Sequence, residues 1–149
     1  MGGMNWQQYL LNVAYAVALK SKDPSTKVGA VIADLDTHRI LATGFNGFPS
    51  GVGETADRWE RPLKYKFVVH AEANAILTAA RFGSSVAGAD LYVTLPPCAD
   101  CAKLIAAAGL RRVYYAGSLT PDGSWRDDAP IAETIFKEAG IRLINLKEC

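Results

Sequence analysis

Residues 90–116 read DLYVTLPPCADCAKLIAAAGLRRVYYA, and this stretch decides the fold class. Residues 90–95 form a short apolar run with the composition of a strand. Residues 98–108 read as a helix, stopped by Gly109, and residues 112–116 as another strand. Strand, helix and strand in succession are the building unit of an α/β protein.

The rest of the chain extends that unit in both directions. Downstream, Asp127 or Asp128 is expected to cap a last helix running through Ala139, followed by a strand over residues 141–146. Upstream, residues 71–82 read as a helix. Residues 46–66 are rich in glycine, proline and charge, a long loop of the kind that is usually functional. Before it, the runs 28–33 and 39–44 flank a turn at Asp34-Leu35-Asp36 and predict an antiparallel hairpin. Asn5 can cap a first helix whose apolar residues Trp6, Tyr9, Leu10, Val13, Ala14 and Val17 keep helical spacing. That helix should end near Lys22-Asp23-Pro24. The order α-β-β-α-β-α-β-α-β predicts a five-stranded mixed sheet with helices on both faces, a three-layer α/β/α sandwich. With no repeat, low-complexity tract or linker, residues 1–149 are expected to be a single domain.

Composition narrows the function. Net charge is +1, and Arg58, Arg61, Lys64 and Lys66 alternate with Asp57 and Glu60 rather than forming a one-signed face. Long nucleic acid is therefore not an expected partner. A small phosphorylated substrate needs only a few donors. No apolar run reaches the roughly 18 to 20 residues of a membrane span. The N-terminus lacks the pattern of a secretory signal, and three cysteines make no disulfide framework. A cytoplasmic protein is expected (host cytoplasm if the source is viral).

The chemistry lies in His70-Ala71-Glu72 and Pro97-Cys98-Ala99-Asp100-Cys101. Cysteines three apart at a helix start share one face, and the positive helix end favours thiolate. Alone, such a pair is equally a redox couple or two buried small hydrophobes, and His-x-Glu alone says little. In this order, each opening a predicted helix, they resemble the signature of zinc nucleobase deaminases. A structural zinc site needs four protein ligands. The remaining histidine, His38, falls in the hairpin turn, and the remaining cysteine is Cys149. The fourth position is thus left to water, whose pKa zinc lowers from about 15.7 to about 7. Glu72 is placed to take that water's proton. A single Zn2+ per chain is expected.

Four segments, residues 21–30 (SKDPSTKVGA), 44–49 (GFNGFP), 70–76 (HAEANAI) and 97–105 (PCADCAKLI), resemble the cytidine deaminase superfamily and, within it, the deoxycytidylate deaminases. The resemblance implies hydrolysis of deoxycytidine monophosphate (dCMP) to deoxyuridine monophosphate (dUMP) and ammonia, supplying dUMP for thymidylate synthesis. It implies His70, Cys98 and Cys101 as zinc ligands and Glu72 as proton shuttle. Asn46 would contact the sugar and the backbone at Ala71 the pyrimidine edge, with residues 21–27 near the phosphate. In that segment Ser21, Lys22, Ser25 and Lys27 can donate to a phosphate, and equally make a solvated turn. Tyr115, Phe48 or Trp125 could stack on the base.

Relatives of this kind are commonly hexamers, activated by deoxycytidine triphosphate (dCTP) with Mg2+ and inhibited by thymidine triphosphate (dTTP). The corresponding effector region is Gly44, Phe45, Asn46 and Gly47, with Arg58, Arg61, Lys64 and Lys66 able to pair with phosphates. Phe45 stands where the family often has tyrosine, and no spare ligands remain for the second zinc some members carry. The rival readings are a deaminase of cytidine, guanine or tRNA adenosine, and a non-catalytic zinc-stabilised nucleotide-binding module, which would leave Glu72 unexplained.

Overall fold

The computed structural model describes residues 2–117 and 128–146. Helix α1 (Trp6–Ala18) begins at Asn5, whose Oδ1 accepts the N–H of Gln8 at 2.8 Å. It ends earlier than proline placement suggests. The N–H groups of Leu19, Lys20 and Ser21 bond to the carbonyls of Ala16, Val17 and Ala18, so tighter i→i+3 turns close the helix before Pro24.

Strands β1 (Gly29–Ala33) and β2 (Ile40–Phe45) form the expected antiparallel hairpin, with a register shift between Ile32 and Ala33. Its turn is organised by the Asp34 carboxylate, which accepts the N–H groups of Asp36 and Thr37. His38 sits in this turn with φ 62° and stacks on Trp6, centroids 4.8 Å apart.

Helix α3 (Ala71–Arg81) leads to β3 (Asp90–Val93), α4 (Ala99–Ala107), β4 (Arg112–Tyr115), α5 (Ala129–Glu138) and β5 (Arg142–Asn145). The sheet order is β2-β1-β3-β4-β5. β3 pairs antiparallel to β1, whereas β3, β4 and β5 are mutually parallel. Parallel neighbours need a crossover, which α4 supplies between β3 and β4.

Side-chain alternation along the strands builds two apolar layers. Ala30, Ile32, Leu91, Val93 and Val113 face α3, α4 and α5, where Ala75, Ile105 and Phe136 complete the larger core. On the other face Val31, Tyr92 and Tyr114 pack against Leu10 and Ala14 of α1. Each such fully buried large side chain contributes about 1.5–3 kcal/mol. The result is the expected three-layer sandwich. Two glycines set the layer spacing. A Cβ on Gly29 would strike the backbone of Ala14 and Ala18, and one on Gly44 the backbone of Ala71 and Ala75.

The loop after β2 is more structured than its composition predicts. It contains a 3-10 turn (Ala56–Trp59) and a short helix, α2 (Lys64–Phe67). Phe48 stacks on Trp59 and Phe67 at 4.5 and 5.3 Å, which gives the segment a small core of its own. Gly47 and Val69 exchange backbone hydrogen bonds and clip the loop to the entrance of α3.

Candidate active site

His70 is the N-cap residue of α3 and Cys98 that of α4, while Cys101 lies in the first turn of α4. The two helix starts therefore lie close together, near enough for their side chains to meet. His70 Nδ1 lies 3.4 Å from Cys98 Sγ and 3.4 Å from Cys101 Sγ. All three donor atoms fall within 4.8 Å of one another and can hold a metal ion. One imidazole nitrogen and two sulfurs are a donor set for zinc. His38, tied to Trp6 at the far hairpin turn, is no part of it. Cys149 and Trp125 lie outside the described residues.

The hydrogen bond from Cys101 draws Cys98 well below the ordinary thiol range, and that same bond, with burial, pushes Cys101 up. The bond to Cys98 raises His70. Glu72, on the first turn of α3, is 1% exposed, and its Oε2 has no hydrogen-bond partner among the described residues. Burial pushes its carboxyl up to about 7, against the opposing pull of His70.

His70, Glu72 and Cys98 share a pocket of about 500 Å³. Ala71, Asn46, Val28, Thr26 and Asp23 line it together with His70, Glu72 and Cys98, and so do Arg61, Lys64, Tyr65, Val68, Asp100 and Asp128. Asn46 is tightly held: its Oδ1 accepts the N–H of Val28 at 2.8 Å, and its Nδ2 donates to Thr26 O at 2.9 Å and Asp23 Oδ2 at 3.2 Å. Lys64 is buried and donates to Asp23 Oδ2 at 3.0 Å and Ser25 Oγ at 3.2 Å. Burial alone would raise the Asp23 carboxyl. The N–H of Ser25, the Lys64 ammonium and the Ser25 hydroxyl outweigh it and hold the group below its usual range.

The residues expected around a phosphate are distributed differently from their charge pattern. Ser21 is buried and donates to Asn46 O at 2.8 Å, and Ser25 is engaged with Asp23 and Lys64. Lys22 is exposed and pairs with Glu54 at 3.1 Å. Lys27 is exposed, and of this turn only Asp23 and Thr26 line the pocket. Tyr115 is half-buried at the end of β4, against the core rather than on the pocket wall. Among the residues expected at an effector site, Arg61 and Lys64 line this pocket. Arg58 instead donates to Gly53 O and covers the Phe67 ring, and Lys66 is exposed. Gly44 is consumed in packing against α3, and Phe45 O accepts from Asn74 Nδ2 at 2.8 Å.

Asp127 lies outside the described residues. Asp128 is the N-cap residue of α5 but makes no side-chain hydrogen bond to it. Its Oδ2 accepts the N–H of Ala99 at 3.1 Å and so caps α4. Sequence reading missed this, because a cap borrowed by another helix leaves no local pattern.

A three-donor metal cluster spanning two helix starts, beside a buried carboxyl that lines a pocket of about 500 Å³, is equipped for metal-assisted hydrolysis. The family model for the cytidine and deoxycytidylate deaminase zinc-binding region matches residues 4–117. The chain belongs to that family. It is 36% identical over 144 residues to deoxycytidylate deaminase of Homo sapiens, covering 93% of this chain and 78% of that protein. It is 34% identical over 178 residues to deoxycytidylate deaminase of Enterobacteria phage T4, covering 92% and 88%. Its structure resembles the dCMP deaminase of cyanophage S-TIM5 in complex with dCMP and dUMP, with TM-score 0.77 and 29% identity over 97% of this chain and all of that one.

Proposed function

We propose that this chain is a zinc-dependent deaminase that hydrolyses dCMP to dUMP and ammonia. The observation that carries the reading is the convergence of His70, Cys98 and Cys101 beside the buried carboxyl of Glu72. A pocket of about 500 Å³ suits one nucleotide. Zinc held by these residues supplies Lewis acidity that makes water nucleophilic near neutral pH. Glu72, whose Oε2 has no hydrogen-bond partner among the described residues, accepts a proton and passes it to the cytosine ring. A non-catalytic module has no use for a buried acid there.

The other assignments follow the shape of the pocket. The backbone at Ala71, at the start of α3, reads the pyrimidine edge. Among the described residues Asn46 Oδ1 accepts one hydrogen bond, from the N–H of Val28, which leaves a lone pair for a sugar hydroxyl. Thr26, Arg61 and Lys64 stand at the phosphate end; Lys22 and Lys27 stay at its periphery. The same reading takes residues 1–149 as one cytoplasmic deaminase domain with a single zinc, assembling as a hexamer. dCTP with Mg2+ activates it and dTTP inhibits it. Among the described residues no helix is long and apolar enough to cross a membrane.

The test is a substrate panel of cytidine, deoxycytidine and their mono- and triphosphates, following loss of cytosine absorbance. dCMP should be the best substrate. A panel in which the nucleosides match the monophosphate, or none reacts, removes the assignment.

A further inference from the structure

Asp128 uses only half of its carboxylate on the fold. Oδ2 caps α4 through Ala99 N, which directly follows Cys98, so the carboxylate stands next to the metal-ligand cluster. Oδ1 is buried and has no hydrogen-bond partner among the described residues. The residue lines the same pocket as His70, Glu72 and Cys98. A buried carboxylate oxygen without a donor is costly, and the cost is relieved when a ligand brings one. An ionised carboxylate only accepts hydrogen bonds. Near the cluster, the N–H donor that a cytosine base presents is the exocyclic amine that the reaction removes.

We propose that Asp128 Oδ1 accepts a hydrogen bond from the amino group of the bound cytosine ring and thereby distinguishes substrate from product. The proposal rests on the reading of the chain as a dCMP deaminase. Hydrolysis breaks the bond from the ring carbon to the amine, ammonia carries the nitrogen away, and a carbonyl oxygen from water takes its place. Asp128 then faces an acceptor instead of a donor, and the two oxygens repel. The same carboxylate holds dCMP and expels dUMP, while its other oxygen keeps the start of α4 in place.

The experiment measures KM for dCMP and the inhibition constant of dUMP on the zinc-loaded protein and on Asp128→Asn, with zinc content determined for both. On the unmodified protein dUMP should bind at least about tenfold more weakly than dCMP. Asp128→Asn keeps an oxygen for Ala99 N and turns an amide donor towards the pocket. It should weaken dCMP and tighten dUMP, so that the ratio of the two constants falls by about tenfold or more. A damaged helix cap would not improve product binding. Turnover of dCMP with an unchanged ratio in a zinc-loaded variant overturns the proposal and leaves the parent reading standing. Absence of dCMP turnover by the unmodified protein overturns both. Should the variant lose zinc, the unmodified protein still decides: dUMP bound as tightly as dCMP overturns the proposal.

Discussion

At the scale of single residues, the metal ligands and Glu72 were legible because their chemistry is written locally. Each lies within a turn of a helix start, and the two-residue and three-residue spacings survive any detail of the tertiary structure. Glu72→Gln keeps the size of the side chain and removes its capacity to accept a proton. Proton transfer by a positioned group is typically worth about 10²- to 10⁴-fold. The turnover number should fall at least that far while zinc stays bound, measured by steady-state assay and metal analysis on the same sample. Activity within about tenfold of the unmodified protein would take Glu72 out of the chemistry. The polar wall of the pocket was less legible. Lys64 reaches Asp23 across 41 positions of sequence, and Asp128 reaches Ala99 across 29. No local pattern encodes either pair, and the family resemblance pointed instead to the turn that carries the exposed Lys22 and Lys27.

At the scale of elements, strand and helix identities followed from period and from glycine stops, and the ends moved where hydrogen bonding overrode composition. α1 closes at Ala18 through i→i+3 turns, several residues before the proline expected to stop it. The segment before α3 looked like plain loop because its apolar residues, Phe48, Trp59 and Phe67, are scattered in sequence and meet only when it folds back on itself. Gly44 shows what an element contact asks of one residue. The family resemblance puts it in the effector region, and the structure packs it directly beneath α3. In Gly44→Ala the new methyl meets backbone atoms of Ala71 and Ala75, which cannot rotate away, and overpacking of this kind typically costs about 1–3 kcal/mol. Denaturant unfolding should show that loss. Zinc affinity should fall with it, since the displaced helix carries His70 at its start and Glu72 in its first turn. An unchanged unfolding midpoint would mean that α3 can shift freely relative to β2.

At the scale of the whole molecule, the metal site is a staple as well as a reaction centre. His70 and Cys98 are 28 positions apart and belong to helices packed on the same face of the sheet, so an ion shared between them ties α3 to α4. The buried side chains in the first turns of these helices include the small Ala71, Ala73, Ala102 and Cys101, which bury little area each. An ion that binds the native state and not the unfolded chain stabilises by RT ln(1 + [L]/Kd), about 4 kcal/mol at a thousandfold excess over Kd. For a chain of this size 1 kcal/mol moves the melting temperature by about 2–4 °C. Removing zinc with a chelator should therefore lower Tm by about 10 °C or more, and adding back one equivalent should restore it. Cys101→Ser, with one ligand weakened, should start from the lower Tm and respond little to the chelator. Calorimetry with metal analysis reads both. Two zincs per chain, or a Tm unmoved by verified loss of the metal, would show that the helix starts are held by packing alone.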